Sequence, residues 1–334
     1  MKKMKLQHID DTALCIQRVK KGRGYQFIDE TGLKIVDPII LKRLKSLVIP
    51  PMWNEVMICK FDDGHIQAIG RDAKGRKQYI YHSHWEKMKQ EEKFKRIELF
   101  VDRLPEMRRI CQANIQLKKW TKDKVLALMV MILDDYGVRI GNQYYANEND
   151  TYGLTTLRRK HLTVHKSEII FNYKGKSNQE RHVLIDNPEL IKNIKKCAEL
   201  PGYEIFRYQD EDGYFHNVDS SDVNEFICST MGDEFSSKDF RTWTATRLAI
   251  EFYPHAVEHK NEFPRKKFSN ILIKMVADEL GNTPTVCRDY YVHPTVFREA
   301  DEQKIPLENP FKEPKHNHEL SASEQLALHV IRNS

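Results

Sequence analysis

Arg139, Lys176, Arg241, Asn282 and Tyr291 are scattered along this sequence, but their types suit one chemistry together: transfer of a phosphoryl group from a DNA strand to tyrosine. Attack on a phosphodiester builds charge on the non-bridging oxygens, which bidentate guanidinium groups neutralise. The departing 5′-oxygen needs a proton, which a lysine can supply as general acid. A tyrosine nucleophile gives a covalent intermediate that keeps the bond energy for resealing. This chemistry requires no metal, and the sequence holds no cluster of carboxylates that would bind one. Taken alone, the stretch around Tyr291 reads more readily as a buried aromatic with a satisfied hydroxyl. The other positions are what turn the reading toward catalysis.

Each candidate needs an element to hold it. Ile271, Leu272, Met275, Val276 and Leu280 recur at helical spacing over 268–280. Gly281 stands where a terminating glycine belongs, and Thr283-Pro284 reads as the N-cap and first residue of a second helix. Asn282 therefore falls in a tight corner. Tyr291 is expected two turns into that second helix, with Tyr290 facing elsewhere. Arg139 follows an apolar run, 125–133, capped at Thr121 and closed at Asp134-Asp135-Tyr136-Gly137. An arginine set among apolar residues and glycine there either salt-bridges inside or faces a site. Lys176 lies in a turn, 174–178, between strands expected at 168–173 and 181–185. Arg241 lies in a helix opened by a capping-box pattern, Ser236 with Asp239. Lys238 and Arg241 are expected to share a face at that helix start, where the dipole favours an anion; the alternative is an ordinary surface helix start.

The amino-terminal region reads differently. Residues 22–85 carry short β-like runs, including 25–28 and 33–36, and a short helix near 39–47; residues 1–20 carry little signal. Arg71, Lys74, Arg76 and Lys77 lie on a glycine-containing loop that runs into Gln78, Tyr79 and Tyr81. Either the cations track phosphates while these side chains reach bases or sugars, or this is a hairpin with solvated charges and a packed aromatic strand. A charged helical stretch, 84–97, opens the second region. The domains are accordingly expected at 1–88, β-rich, and 89–334, mainly helical with small hairpins. The acidic turn at 210–213 lacks a calcium-loop spacing. His316 and His318 read as a solvated linker before a final amphipathic helix, 323–331.

Bulk properties bound the rest. The chain has 334 residues, 40% hydrophobic and 31% charged, so it can bury a sizeable core. A net charge of +6 permits nucleic acid as a partner without demanding it. No apolar run approaches the ~20 residues that span a bilayer, and the Met1 to His8 stretch lacks the apolar core of a signal peptide. The six cysteines are scattered with no Cys-x-x-Cys pair, which argues for a reducing compartment and against structural zinc.

These residues sit in a set of landmarks: Ile49-Pro50-Pro51; Gly70-Arg71-Asp72-Ala73-Lys74-Gly75-Arg76-Lys77-Gln78-Tyr79; Arg139-Ile140-Gly141-Asn142; Gly153-Leu154-Thr155-Thr156-Leu157; Lys174-Gly175-Lys176-Ser177; Lys238-Asp239-Phe240-Arg241-Thr242; and Gly281-Asn282-Thr283-Pro284. In their order and spacing they resemble the type IB DNA topoisomerases of the small bacterial and poxvirus type, bacterial branch, over nearly the whole chain. The resemblance implies an α+β fold and a bilobal DNA clamp. A small β-rich amino-terminal domain would pair with a larger helical catalytic domain of tyrosine-recombinase type carrying a small sheet. It implies relaxation of supercoiled duplex DNA by single-strand cleavage, swivelling and religation through a 3′-phosphotyrosyl link. It implies no cofactor, no metal and no nucleotide. The expected setting is a cytoplasmic, nucleoid-associated monomer with double-stranded DNA as partner and no membrane.

Residue by residue, the resemblance implies Tyr291 as nucleophile and Arg139 and Arg241 as transition-state stabilisers, Arg139 also assisting protonation of the leaving group. Lys176 becomes the general acid, with Lys174 the lesser candidate, and Lys238 a phosphate contact. Gln78, Tyr79 and Tyr81 match amino-terminal residues that touch DNA in the major groove, and Tyr145 a contact from the catalytic domain. Asn282 stands where the poxvirus pattern has histidine; its amide can still donate to a non-bridging oxygen. Asn142 and Tyr144 replace lysines of that pattern, so its cleavage preference does not carry over. The rival readings are a tyrosine site-specific recombinase and a catalytically inactive DNA clamp. Against the first, this chain has Lys238-Asp-Phe-Arg241 and Leu280-Gly281-Asn282 where recombinases usually carry histidines. Against the second, every catalytic position holds a competent side chain.

Overall fold

The computed structural model describes residues 6–333; residues 1–5, most of the amino-terminal stretch considered above, and residue 334 lie outside the described residues. The chain divides into two compact units, Met1–Lys93 and Phe94–Ser334.

The first unit is an antiparallel sheet. Its strands are β1 (Ile16–Lys21), β2 (Gly24–Ile28), β3 (Asn54–Ile58), β4 (Ile66–Arg71) and β5 (Lys77–Tyr81), in the order β2-β1-β3-β4-β5. Helix α1 (Pro38–Ser46) follows β2, with Asp37 as its N-cap and Pro38 in its first turn. Ile16, Phe27, Leu44, Val56, Ile58 and Ala68 form the core. β1 arises from a stretch with little sequence signal; its burial pattern places only Ile16 fully inside, so alternation is nearly absent. The strand expected at 33–36 does not form, and a single bridge, Ile28 to Lys34, takes its place. The Ile49-Pro50-Pro51 connection is held by Arg18, whose guanidinium donates to the carbonyls of Ile49, Pro50 and Trp53 at 3.0, 3.1 and 2.8 Å.

Helix α2 (Ser83–Ile115) contains the boundary between the units. It runs far past the charged stretch seen in the sequence, because Ile97, Phe100, Val101, Leu104, Met107 and Cys111 continue its apolar face through Pro105.

The second unit is built around α3 (Lys122–Tyr136), capped at Thr121 and closed by Gly137 in the left-handed conformation. Val125 to Val130, Ile132 and Leu133 are all buried, as expected of a helix surrounded by neighbours. After α4 (Gln143–Asn149) come β6 (Leu162–Val164), β7 (Ile169–Lys174) and β8 (Glu180–Ile185), a three-stranded antiparallel sheet in sequence order. Helix α5 (Pro188–Ala198) leads to a hairpin, β9 (Arg207–Gln209) with β10 (Phe215–Asn217). The remainder is helical: α6 (Ser220–Met231), α7 (Ser237–Glu251), α8 (Tyr253–Glu262), α9 (Phe268–Leu280), α10 (Pro284–Tyr290), α11 (Pro294–Asp301) and α12 (Ala322–Asn333). One continuous core includes α2, α3, α5, α6, α7 and α9. Phe100 meets Phe235 and Phe240 edge-on, at centroid distances of 5.6 and 4.9 Å. No helix among the described residues is long and apolar enough to cross a membrane.

Candidate active site

The site is organised by the carboxyl end of α9. Gly281 turns into the left-handed region at φ 58°, which ends the helix. That end exposes carbonyls with no helical partner. Three consecutive ones each accept from a different guanidinium. Arg181 Nη2 donates to Glu279 O at 2.9 Å, Arg241 Nη2 donates to Leu280 O, and Arg139 Nη1 donates to Gly281 O at 3.3 Å. Arg139 Nη2 also donates to Asn282 Oδ1 at 2.5 Å, and Arg241 Nη1 to Gly137 O. Among the described residues, no carboxylate forms an ion pair with any of the three. The helix end contributes about half a negative charge, far short of three cations.

Local sequence explains how each arginine arrives. Arg139 follows the Gly137 turn, where its strand-like backbone lies against the Gly153 segment: Leu154 N donates to Arg139 O at 2.9 Å and Thr155 N to Ile140 O at 2.8 Å. A Cβ on Gly153 would stand 2.5 Å from Gly141 N, so the two glycines allow backbone to meet backbone. Arg241 lies one turn into α7, behind the reciprocal Ser236–Asp239 cap, and is 4% exposed. Arg181 sits on β8, in phase with the inward-facing Val183 and Ile185. The sequence reading passed over it, yet that alternation was the signal available: an arginine at a buried position of a two-period strand.

The electrostatics follow. Burial lowers the pKa of Arg241 to about 10, with Arg139 and Arg181 adding repulsion and Tyr291 opposing it. Arg139 is lowered too, by burial first and by Arg181, while Tyr291 opposes the shift through its charge and a hydrogen bond. At about 10, Arg241 stays protonated near neutrality. Two donors in this cluster lack a partner among the described residues, Arg241 Nε and Asn282 Nδ2, although both atoms are buried. Unpaired buried donors beside concentrated positive charge form a receptor for an oxyanion.

Tyr291 belongs to this cluster. The Arg241 guanidinium carbon lies 5.3 Å from its ring centroid. Tyr291 is half-buried, whereas Tyr290 is exposed. The expected position needs one correction. Tyr291 is not inside the second helix but just past it: α10 ends at Tyr290, and Tyr291 has φ −124°, ψ −48°. Pro294 lacks the N–H that would bond to Tyr290 O and keeps His293 out of the helical region, so the helix cannot run on past this point. His293 N then donates to Thr246 Oγ1 on α7 at 3.0 Å, which ties the tyrosine segment to the helix that carries Arg241.

The remaining candidates lie elsewhere. Lys176 is exposed on the β7–β8 turn, and no hydrogen bond among the described residues joins it to the arginines. Lys238 is exposed at the start of α7 while Arg241, one turn on, is buried, so the shared face splits into an outer and an inner cation. Tyr145 is exposed on α4, edge-on to Tyr144. In the first unit, Tyr79 and Tyr81 stack on one exposed face of β5, 5.8 Å apart, with the Lys77 ammonium 5.3 Å from the Tyr79 ring. Gln78 takes the other face, donating to Asp72 at 3.1 Å. The basic loop is partly self-neutralised: Arg71 pairs with Glu55, Arg76 with Asp72 and Lys77 with Asp11, and Lys74 lies on the same turn.

Comparison with known proteins bears on this arrangement. A family model for the eukaryotic DNA topoisomerase I catalytic core matches residues 82–317, and one for the bacterial DNA topoisomerase IB N-terminal domain matches residues 24–72. A DNA topoisomerase 1B of Acanthamoeba polyphaga mimivirus is 34% identical over 284 residues, covering 83% of this chain and 84% of its own. The DNA topoisomerase 1B of vaccinia virus (strain Copenhagen) is 29% identical over 257 residues, covering 75% and 76%. Among solved structures, a site-specific recombinase bound to its DNA substrate covers 61% of this chain and 53% of its own at TM-score 0.34 and 14% identity, too loose a likeness to argue from. With two family models matched in succession and a relative aligned over most of both lengths, the chain belongs to the type IB DNA topoisomerases, isomerases that act on DNA topology.

Proposed function

We propose that Tyr291 is the nucleophile and that Arg139, Arg241 and Asn282 bind the scissile phosphate. The observation that carries this reading is the arginine cluster at the end of α9: guanidiniums held by carbonyls, with buried unpaired donors, around one tyrosine. The Tyr291 oxygen attacks phosphorus, the bond to the 5′-oxygen breaks, and the DNA 3′ end is left on the tyrosine. The phenol proton is released, and the Lys176 ammonium, with help from Arg139, delivers one to the departing 5′-oxygen. The reverse reaction reseals the strand. One phosphodiester is exchanged for another, so the step needs no nucleotide.

In this reading Lys238, Tyr145 and the β5 residues Gln78, Tyr79 and Tyr81 hold the duplex, with Arg71, Lys74, Arg76 and Lys77 following its phosphates. Residues 1–88 are the DNA-binding amino-terminal domain and 89–334 the catalytic one. The enzyme is of the bacterial branch and works in the cytoplasm, on the nucleoid, as a monomer without metal or nucleotide.

The test is relaxation of supercoiled plasmid in excess EDTA without ATP. Wild type and Tyr290→Phe should relax it and form a covalent DNA adduct; Tyr291→Phe should do neither while still binding DNA. Relaxation by Tyr291→Phe, or none by a folded, DNA-binding wild type, overturns the assignment.

A further inference from the structure

Arg181 is the member of the cluster that the proposed chemistry leaves without a role. Its guanidinium reaches the α9 corner through Glu279 O. Its stem lies against the turn that carries Lys176: a Cβ on Gly175 would stand 3.0 Å from Arg181 Cγ. At the far end, a Cβ on Gly281 would overlap the guanidinium, 2.0 Å from Nη1 and 2.5 Å from Cζ. One buried side chain therefore runs from the glycine beside Lys176 to the glycine beside Asn282, with no side-chain atom needed on either. On β8 its backbone pairs with Tyr173 on β7, so the stem is fixed to the hairpin itself.

We propose that Arg181 is a positioning residue that couples the Lys176 turn to the Gly281–Asn282 corner, so that the proton donor and the phosphate receptor are set by one strut. The proposal rests on the general-acid reading of Lys176. Without the strut, the turn keeps the pairing of β7 with β8 and the bond from Tyr152 N to Lys174 O at 2.7 Å, neither of which ties it to α9. A second effect follows from charge: Arg181 presses on both Arg139 and Arg241, so its removal relaxes a repulsion that a bound phosphate would otherwise offset.

The experiment measures single-turnover cleavage by the full chain. The substrate is a duplex carrying its strongest cleavage site, mapped first by trapping on plasmid DNA. Two substrates are compared, with oxygen or sulfur at the scissile 5′ position. A thiolate departs without a proton, so sulfur removes the need for a general acid. Arg181→Met should cleave the oxygen substrate about 100-fold more slowly than wild type, within the range for loss of general-acid catalysis. With sulfur the deficit should fall to about 10-fold or less, and affinity for uncleaved DNA should hold within about 3-fold. Arg181→Lys, which keeps the stem and one donor, should recover part of the rate. Gly175→Ala keeps every charge and has an ordinary φ of −91°, so it tests the same strut where Arg181→Met proves too unstable. It should show a smaller loss that sulfur also cures. Lys176→Met is the control. If sulfur rescues Lys176→Met but neither Arg181→Met nor Gly175→Ala, the coupling is wrong and the general acid stands. If sulfur fails to rescue Lys176→Met, the general-acid reading falls and the coupling with it.

Discussion

Two groups of partly or fully buried arginines lie along α3 and α7, and they are satisfied in opposite ways. At the end of α3, Arg108 is surrounded by carboxylates: Nε donates to Asp134 at 2.6 Å, while Nη1 and Nη2 donate to Glu324 at 2.9 and 2.7 Å. Glu324 also accepts from the Trp243 indole on α7 at 2.8 Å and from Ser321 N at 2.9 Å. Nearby, Arg247 pairs with Glu251 at 2.9 Å. Two residues before Trp243, Arg241 donates its hydrogen bonds to the carbonyls of Gly137 and Leu280 and lies against the Tyr291 ring. Burial alone would lower all of these arginines. For Arg108 and Arg247 the acids outweigh it and the pKa rises; for Arg139 and Arg241 nothing does and it falls. The first group closes its charge and fixes α2, α3, α7 and α12 to one another. The second leaves its charge open, and an anion is what would close it.

The comparison breaks most easily at Glu324. Glu324→Ala strips acceptors from Arg108 and Trp243 together and leaves a largely enclosed cation short of charge. Stability should fall by about 3–5 kcal/mol, the usual cost of halving a buried ion pair. Urea unfolding reads this directly. Cleavage at a temperature where the variant stays folded should remain within a few-fold of wild type. A selective loss of cleavage with unchanged stability would mean that the two clusters are not separable.

Arg241→Gln is the converse. If Arg241 binds the scissile phosphate as proposed, this removes a donor to the developing charge, so single-turnover cleavage should fall by about 10²–10³, or about 3–4 kcal/mol of transition-state stabilisation. Stability should hold or rise, because a buried cation without a carboxylate costs solvation that it does not recover. A drop in stability as large as that of Glu324→Ala would make Arg241 a structural residue instead.

The same contrast explains what could be read from the sequence. The corner at Gly281-Asn282, the caps at Thr121, Ser236 and Thr283, and the buried run of α3 are set by local rules of propensity and capping, and they formed where those rules put them. Arg139, Arg241, Asn282 and Tyr291 could be named because each lies beside such a punctuated element. Arg181 has no punctuation near it; only its phase in β8 distinguishes it from the exposed cations. The Arg108–Glu324 cluster joins residues 216 apart and depends on how α12 docks, which no local pattern encodes. The end of α10 is marked by His293-Pro294, a signal that helical periodicity counted from Pro284 does not contain.

Acid offers the smallest and most selective way to sharpen the comparison. Burial pushes the Glu324 carboxyl up, but Arg108, Arg247 and the Ser321 amide together hold it below its ordinary value of 4.5. A carboxyl whose pKa is lower folded than unfolded adds stability above its unfolded value and loses it as pH falls toward the folded one, because the unfolded chain takes up the proton first. The stability gap between wild type and Glu324→Gln should therefore be widest near neutrality, begin to close below about pH 4.5 and shrink further with acid. The gap between wild type and Arg241→Gln should stay level across the same window, since no carboxylate among the described residues pairs with that guanidinium. Urea midpoints for the three proteins over a pH series distinguish the cases. A Glu324→Gln gap that stays constant into acid would show that Arg108 is held by something other than an ionised Glu324, and the contrast between a closed and an open arginine cluster would lose its physical basis.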